Sequence, residues 1–153
     1  MSEFQSGKYR VHYDADQTRA AHAAMQGGGA DLCTCADCKN FAAQKPVGYP
    51  DDFLSLLQRL GIDPDREIEV FGFPATDPKV VHYFGWFYFV GSVDPDESGS
   101  PPYSRTPTNF RYYLVNGPAF RVTQFEPSPV SRVEFECLHL PWLRGAPYES
   151  RPR

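Results

Sequence analysis

In residues 80–93, both sets of alternate positions carry aromatic side chains. One set consists of Phe84, Trp86 and Tyr88, and the other of Tyr83, Phe87 and Phe89. Successive side chains of a β-strand point to opposite faces, so this strand would be apolar on both sides. The pattern predicts a central strand in a sheet that is covered on both faces. We interpret His82 within it as a hydrogen-bonded core histidine.

Shorter alternating segments predict the other strands. They lie at residues 8–13, 67–71, 109–115, 119–125 and 130–138. Asn116-Gly117 separates two of them and predicts a β-hairpin between 109–115 and 119–125. Arg111, Arg121 and Arg132 have Glu126, Glu134 and Glu136 nearby, which we interpret as cross-strand charge pairs.

Helical signals are concentrated in the first half of the chain. Residues 15–26 are rich in alanine and follow Asp14, which with Asp16 is a candidate helix cap. A short helix is predicted to follow Cys38 and to stop at Pro46. Residues 50–61 have the clearest helix pattern, with an apolar stripe from Phe53 to Leu60 and a terminal glycine.

These elements predict an α+β fold with an antiparallel, aromatic-rich β-sheet of about five or six strands and N-terminal helices. We expect the 153 residues to form a single domain. Its helical part would span residues 14–62 and its sheet residues 66–142. The polar, proline-rich residues 94–107 are predicted to form a mobile loop.

Three of the four cysteines fall within six positions, in the spacing Cys33-x-Cys35-x-x-Cys38. Short cysteine spacings let one turn of backbone direct several sulfurs to a common point, as zinc sites require. We therefore predict a Cys-rich metal knuckle that binds Zn²⁺. The fourth ligand is left open between Cys137 and His139, with His22 as a weaker candidate.

Other interpretations of the cysteines remain open, and one is that they are ordinary reduced thiols. Disulfides are disfavoured because residues 1–8 do not resemble a signal peptide, from which we expect a reducing, cytoplasmic location. A redox Cys35-x-x-Cys38 pair lacks the preceding strand that is typical of thioredoxin-like proteins. Cys137 also fits a simple core position, since it shares strand parity with Val133 and Phe135.

Charge and composition restrict the possible partners. The net charge is −4, with −7 in residues 1–102 and +3 in residues 103–153. That basic excess is too small and too mixed with acid to predict nucleic-acid binding. No stretch approaches the roughly 20 apolar residues of a membrane span, so we expect no membrane partner. An unidentified protein or small molecule remains as the expected partner.

Several motifs together resemble a known group of proteins. They are Cys33-x-Cys35-x-x-Cys38-x-Asn40-Phe41, the helix that ends Leu60-Gly-Ile-Asp63, the aromatic Tyr83-Phe-Gly-Trp-Phe87 and the closing Leu140-Pro-Trp142. In these the chain resembles a group of small uncharacterised bacterial proteins with a C-x-C-x-x-C-x-N-F motif. The resemblance covers about residues 31–91 and the tail, and it implies no activity and no catalytic residues.

Three classes of function are compatible with the sequence. The first is a binding or accessory protein stabilised by zinc. The second is a zinc enzyme with an open three-cysteine site, in which Asp31 and Asp37 are candidate bases, although the sequence favours a cap or a solvated charge for each. The zinc-deaminase signature is absent, because no histidine begins His-x-Glu and Thr34 precedes Cys35. The third is a thiol-redox or metal-sensing protein.

Overall fold

A seven-stranded antiparallel sheet forms the framework of this protein in a computed structural model, which describes residues 1–6, 9–94, 103–105, 110–145 and 148. The strands are β1 (Ser2–Ser6), β2 (Tyr9–Tyr13), β3 (Glu69–Pro74), β4 (Val80–Asp94), β5 (Tyr103–Arg105), β6 (Phe110–Val115) and β7 (Val130–Pro141). Six follow the order β1-β2-β4-β7-β6-β5, and β3 pairs with β4. The helices are α1 (Ala15–Ala24), α2 (Ala36–Ala42), α3 (Lys45–Gly48) and α4 (Asp51–Leu60), with a 3₁₀ turn at Thr123–Phe125. The predicted α+β class is confirmed.

Strand β4 lies between two hydrophobic cores, as its sequence predicts. Val81, Tyr83, Phe87 and Phe89 belong to the larger core, in which helix α4 and the inner faces of β6 and β7 also pack. Trp86, Tyr88 and Val90 belong to the second core, together with Ala21 of α1 and Phe125. Burying such large side chains contributes about 1.5–3 kcal/mol each, so β4 stabilises the fold from both of its faces.

Helix α4 follows its predicted pattern closely. Phe53, Leu57 and Leu60 lie on one face and are fully buried in the larger core. Gly61 ends the helix at a φ of 83°, a left-handed conformation that glycine adopts without a steric penalty. Pro50, predicted as the first helical residue, is the N-cap, so the helix begins one position later at Asp51. In α1 the side chain of Asp14 caps the helix by accepting from the Gln17 amide at 3.0 Å.

The predicted hairpin at Asn116-Gly117 is wrong. Strand β6 pairs instead with β7, from Phe110 opposite Cys137 to Val115 opposite Arg132. The segment 119–125 is not a strand: the Tyr88 hydroxyl accepts from the Ala119 and Phe120 amides at 3.0 and 2.9 Å, and Thr123–Phe125 forms a 3₁₀ turn. Tertiary contacts therefore override the turn signal.

Three smaller predictions, on Pro46, on residues 94–107 and on His82, also compare with the structure. Pro46 does not end the helical region, because α3 begins at Lys45 with this proline in its first turn. The predicted mobile loop at 94–107 lies mostly outside the described residues, and its residues 103–105 pair with β6. His82 is half-buried against the His139 ring, so its assignment to the core is wrong.

Of the predicted cross-strand charge pairs, the one between Arg111 and Glu136 forms, whereas Arg121 and Arg132 pair with glutamates of their own segments. Arg111 and Glu136 face each other across β6 and β7 at 3.1 Å, and Arg132 contacts Glu134 within β7 at 2.7 Å. Arg121 pairs with Glu126 in the segment before β7. These pairs are at least partly exposed, so each contributes roughly 0–1 kcal/mol to stability.

Candidate metal centre

Cys33, Cys35 and Cys38 meet at the entrance to helix α2, and their sulfur atoms all lie within 4.8 Å of one another. Cys35 is the N-cap residue, and its sulfur accepts from the Cys38 amide at 3.4 Å. The Cys35 amide in turn donates to the Cys33 sulfur at 3.5 Å. The backbone thus wraps around the sulfurs, which explains why residues this close in sequence converge.

The spacing of the sulfurs suits a metal ion. A tetrahedral zinc with bonds of about 2.3 Å separates its sulfur ligands by about 3.8 Å. Cys33 and Cys35 have their sulfurs 3.3 Å apart, so only a small adjustment would admit the ion. Three cysteines are therefore close enough to hold a metal ion, as the sequence predicts.

The three thiols differ in their acidity. Hydrogen bonds from the Cys35 amide, and from the thiols of Cys35 and Cys38, lower the pKa of Cys33. Burial, reinforced by the neighbouring thiols, raises the pKa of Cys38. Cys33 therefore has a larger thiolate fraction than Cys38 in the metal-free protein, and a metal must displace the proton of Cys38 when it binds.

The structure does not bring any of the predicted fourth ligands into the three-cysteine cluster. Cys137 lies in the larger core, where burial raises its pKa to about 11. His22 is buried on α1, where its Nε2 lies 2.9 Å from the Tyr88 carbonyl oxygen. Whether any of them binds a metal stays a prediction.

His139 does not share a face with Cys137, contrary to the predicted alternation. Tyr83 pairs with Cys137 and Val81 with Leu140, so β7 carries one extra residue between these pairs. Such a bulge reverses the alternation of side chains. His139 is therefore exposed, whereas Leu140 is buried.

Asp37 is neither a cap nor a solvated charge, although the sequence favoured those roles. It is buried in the first turn of α2, and its Oδ2 accepts from the Tyr148 hydroxyl at 3.2 Å. Its backbone oxygen accepts from the Tyr83 hydroxyl at 2.8 Å. Asp37 therefore joins the cluster to the sheet and to the tail of the chain.

A buried ion network, which the sequence did not reveal, anchors the start of the cysteine loop. The Lys45 Nζ atom lies 2.7 Å from Asp31 Oδ2 and 2.9 Å from Glu67 Oε2. Glu67 Oε1 accepts from the Ala30 amide at 2.9 Å. A side chain at Gly28 would come within 2.6 Å of both Glu67 carboxylate oxygens, which explains a glycine there. Asp31 is thus an ion-pair partner.

The segment that follows the cysteines is joined to strand β7. The Asn40 Nδ2 donates to the Pro141 carbonyl at 3.0 Å and to the Tyr83 hydroxyl at 3.2 Å. The Asn40 Oδ1 accepts from the Leu143 amide at 2.9 Å. Gln44 adds a second bond to the Pro141 carbonyl at 2.9 Å. Helix α2 therefore links the cysteines to the end of β7.

We predict that Asn40→Ala lowers the free energy of unfolding by about 1–3 kcal/mol, because it leaves buried polar partners unsatisfied. Urea denaturation followed by circular dichroism measures the change. Lys39→Ala, an exposed position of the same helix, is the control and should change stability by less than about 0.5 kcal/mol. Equal stability of the two variants would contradict the inference that Asn40 stabilises the fold by linking α2 to the end of β7.

The fold and the site together define an α+β protein in which a three-cysteine cluster, able to hold a metal ion, lies at the start of a helix packed on the sheet. Comparison with protein-family models, with curated proteins and with solved structures found no match to this chain. Within the described ranges, none of the helices has the length and apolar content needed to cross a membrane.

Proposed function

We propose that Cys33, Cys35 and Cys38 bind one zinc ion, which stabilises the fold of a binding or accessory protein. The convergence of three sulfurs within 4.8 Å of one another carries this proposal. Thiolate ligands favour zinc over magnesium and calcium, which prefer oxygen. The motif that carries the cysteines also leads us to infer membership of the group of small bacterial proteins described above.

A structural role is supported by what lies on either side of the cysteines. Asp31, just before the cluster, is held by Lys45, and Asn40, just after it, bonds to the Pro141 carbonyl. A metal between these anchors would fix the segment that joins them. Because an unfolded chain has no preformed site, the free energy of metal binding stabilises the folded state.

The fourth coordination position separates a structural site from a catalytic one. A structural zinc has four protein ligands, whereas a catalytic zinc retains a water. Among the described residues, only three cysteine, histidine or acidic donors gather in the cluster. This observation favours, as a second candidate, a zinc enzyme with an open site. In the structural alternative, Cys137 or His139 would have to move to the metal.

Metal analysis of the protein as purified tests the proposal, and we expect about one zinc per chain. The Cys33→Ser/Cys35→Ser/Cys38→Ser variant should contain none. Cys137→Ser and His139→Ala are the informative partners. Loss of zinc in either, or in His22→Ala, identifies a closed site, and retention in all three variants indicates an open one. Metal-free protein with four titratable thiols would refute zinc binding.

The short sulfur contact also supports a thiol-redox or metal-sensing function. Cys33 and Cys35 have their sulfurs 3.3 Å apart, and Cys33 is half-buried rather than enclosed. Hydrogen bonding that lowers the pKa of Cys33 raises its thiolate fraction, and thiolates are the species that oxidants attack. Mass spectrometry after mild peroxide treatment would detect a reversible disulfide within residues 33–38. Unchanged thiols under these conditions would exclude this function.

A further inference from the structure

The first turn of helix α2 contacts both the metal centre and the C-terminal tail, by which we mean the described residues after β7, 142–145 and 148. Cys35 and Cys38 supply two of the three sulfurs of the cluster. Asp37 lies between them in the sequence, and its Oδ2 accepts from the Tyr148 hydroxyl at 3.2 Å. A movement of this turn would therefore displace metal ligands and the tail together.

Other contacts hold the tail against the protein. The Leu143 amide donates to Asn40 Oδ1 at 2.9 Å, and Asn40 is also a residue of α2. The Tyr148 amide donates to the Pro78 carbonyl at 3.3 Å, and the Tyr148 ring packs edge-to-face on Trp142 with the ring centroids 4.9 Å apart. Tyr148 is thus buried by contacts with α2, with the segment before β4 and with the tail itself.

The contact between Asp37 and Tyr148 fits closely against strand β3. A side chain at Gly72 would come within 2.9 Å of Asp37 Oδ2 and 3.3 Å of the Tyr148 hydroxyl, so a glycine leaves room for this pair. Asp37 is buried, and its backbone oxygen accepts from the Tyr83 hydroxyl at 2.8 Å. Removal of a donor from a buried carboxylate is costly. The docked tail therefore stabilises the conformation of the turn that carries the cysteines.

We propose that the tail is a metal-dependent latch, docked on α2 while the cysteines hold a metal ion and released when the ion is lost. This inference rests on the proposed zinc site and assigns a form of regulation to it. Coupling between two sites is reciprocal, so the docked tail must raise the affinity for zinc by the factor by which zinc favours docking. Release would expose the Tyr148 ring, so loss of the metal would change the protein surface.

Hydrogen exchange and zinc affinity, both measured on the purified full chain, test the latch together. Removal of zinc with a chelator should raise the exchange rate of the Tyr148 amide about fivefold or more. Tyr148→Phe, which lacks only the hydroxyl, should raise the zinc dissociation constant, measured by competition with a chromogenic chelator. Tyr148→Ser also removes the ring, and it should raise this constant by the same factor as the exchange rate changes in wild type.

Leu143→Ala is the matched control, because this tail side chain is exposed and its amide keeps the bond to Asn40. It should leave the zinc dissociation constant within about twofold of the wild-type value. Unchanged zinc affinity in both Tyr148 variants, or a Tyr148 amide whose exchange ignores the chelator, would overturn the latch and leave the zinc site standing. Wild-type protein that binds no zinc would overturn both.

Discussion

Lys45→Met is expected to lower the free energy of unfolding by about 3–5 kcal/mol, which is the usual cost of removing one partner from a buried ion pair. The Lys45 side chain is 4% exposed and the Glu67 side chain is fully buried. Without the ammonium group, Glu67 would keep a buried charge whose main remaining partner is the Ala30 amide. Asp31, just before the cysteines, would lose its anchor as well.

The loss of stability in Lys45→Met should be larger at high pH than at low pH. Burial raises the pKa of Glu67, and Lys45 opposes that effect. In folded Lys45→Met the pKa of Glu67 rises further. At pH values above the ordinary carboxyl range, the folded state therefore binds more protons than the unfolded state. Stability then falls as pH rises through that window. The variant should therefore be closer to wild type at pH 5 than at pH 8.

Urea denaturation at the two pH values measures both effects. Lys39→Met is the matched control, since Lys39 is an exposed lysine, and it should change stability by less than about 0.5 kcal/mol. Lys45→Met/Glu67→Gln should recover much of the loss, because it removes the unpaired charge and keeps an acceptor for Ala30. If Lys45→Met were as stable as Lys39→Met, the network would have no role in stability.

The features that the sequence predicted correctly are those encoded within a few residues. The side-chain pattern of β4 specifies a strand with two buried faces whatever its partners are. The stripe and terminal glycine of α4 are equally local, and both ends of that helix lie within one residue of the prediction. Cys33, Cys35 and Cys38 converge because the backbone between them wraps around the sulfurs.

The features that the sequence missed depend on residues far apart in the chain. Lys45 and Glu67 are 22 positions apart, and neither carries a local signal of burial. The bulge that exposes His139 arises from the pairing of β4 with β7. The Tyr88 hydroxyl binds the Ala119 and Phe120 amides, at the start of the segment predicted as a strand, across about 30 residues of sequence. Single-sequence periodicity carries no information on such pairings.

Removal of the proposed zinc is expected to destabilise the wild-type protein by about 4 kcal/mol relative to protein with free zinc at 1,000 times its dissociation constant. The largest structural effect should appear in α2, which begins at the cluster. Its bond from Asn40 Oδ1 to the Leu143 amide should weaken, whereas the central part of β4 should stay protected. A metal bound only to a surface loop would instead leave α2 and Leu143 unchanged.

Hydrogen exchange with and without a chelator separates these outcomes residue by residue. The Leu143 amide should exchange faster after chelation, and the Phe87 amide, in the middle of β4, should change little. The variant with Cys33, Cys35 and Cys38 all replaced by serine is the control. Its amides should exchange as those of chelated wild type do, and addition of the chelator should not change their rates. If chelation altered that variant as much as wild type, the effect would come from another site, and the three cysteines would not be the metal ligands.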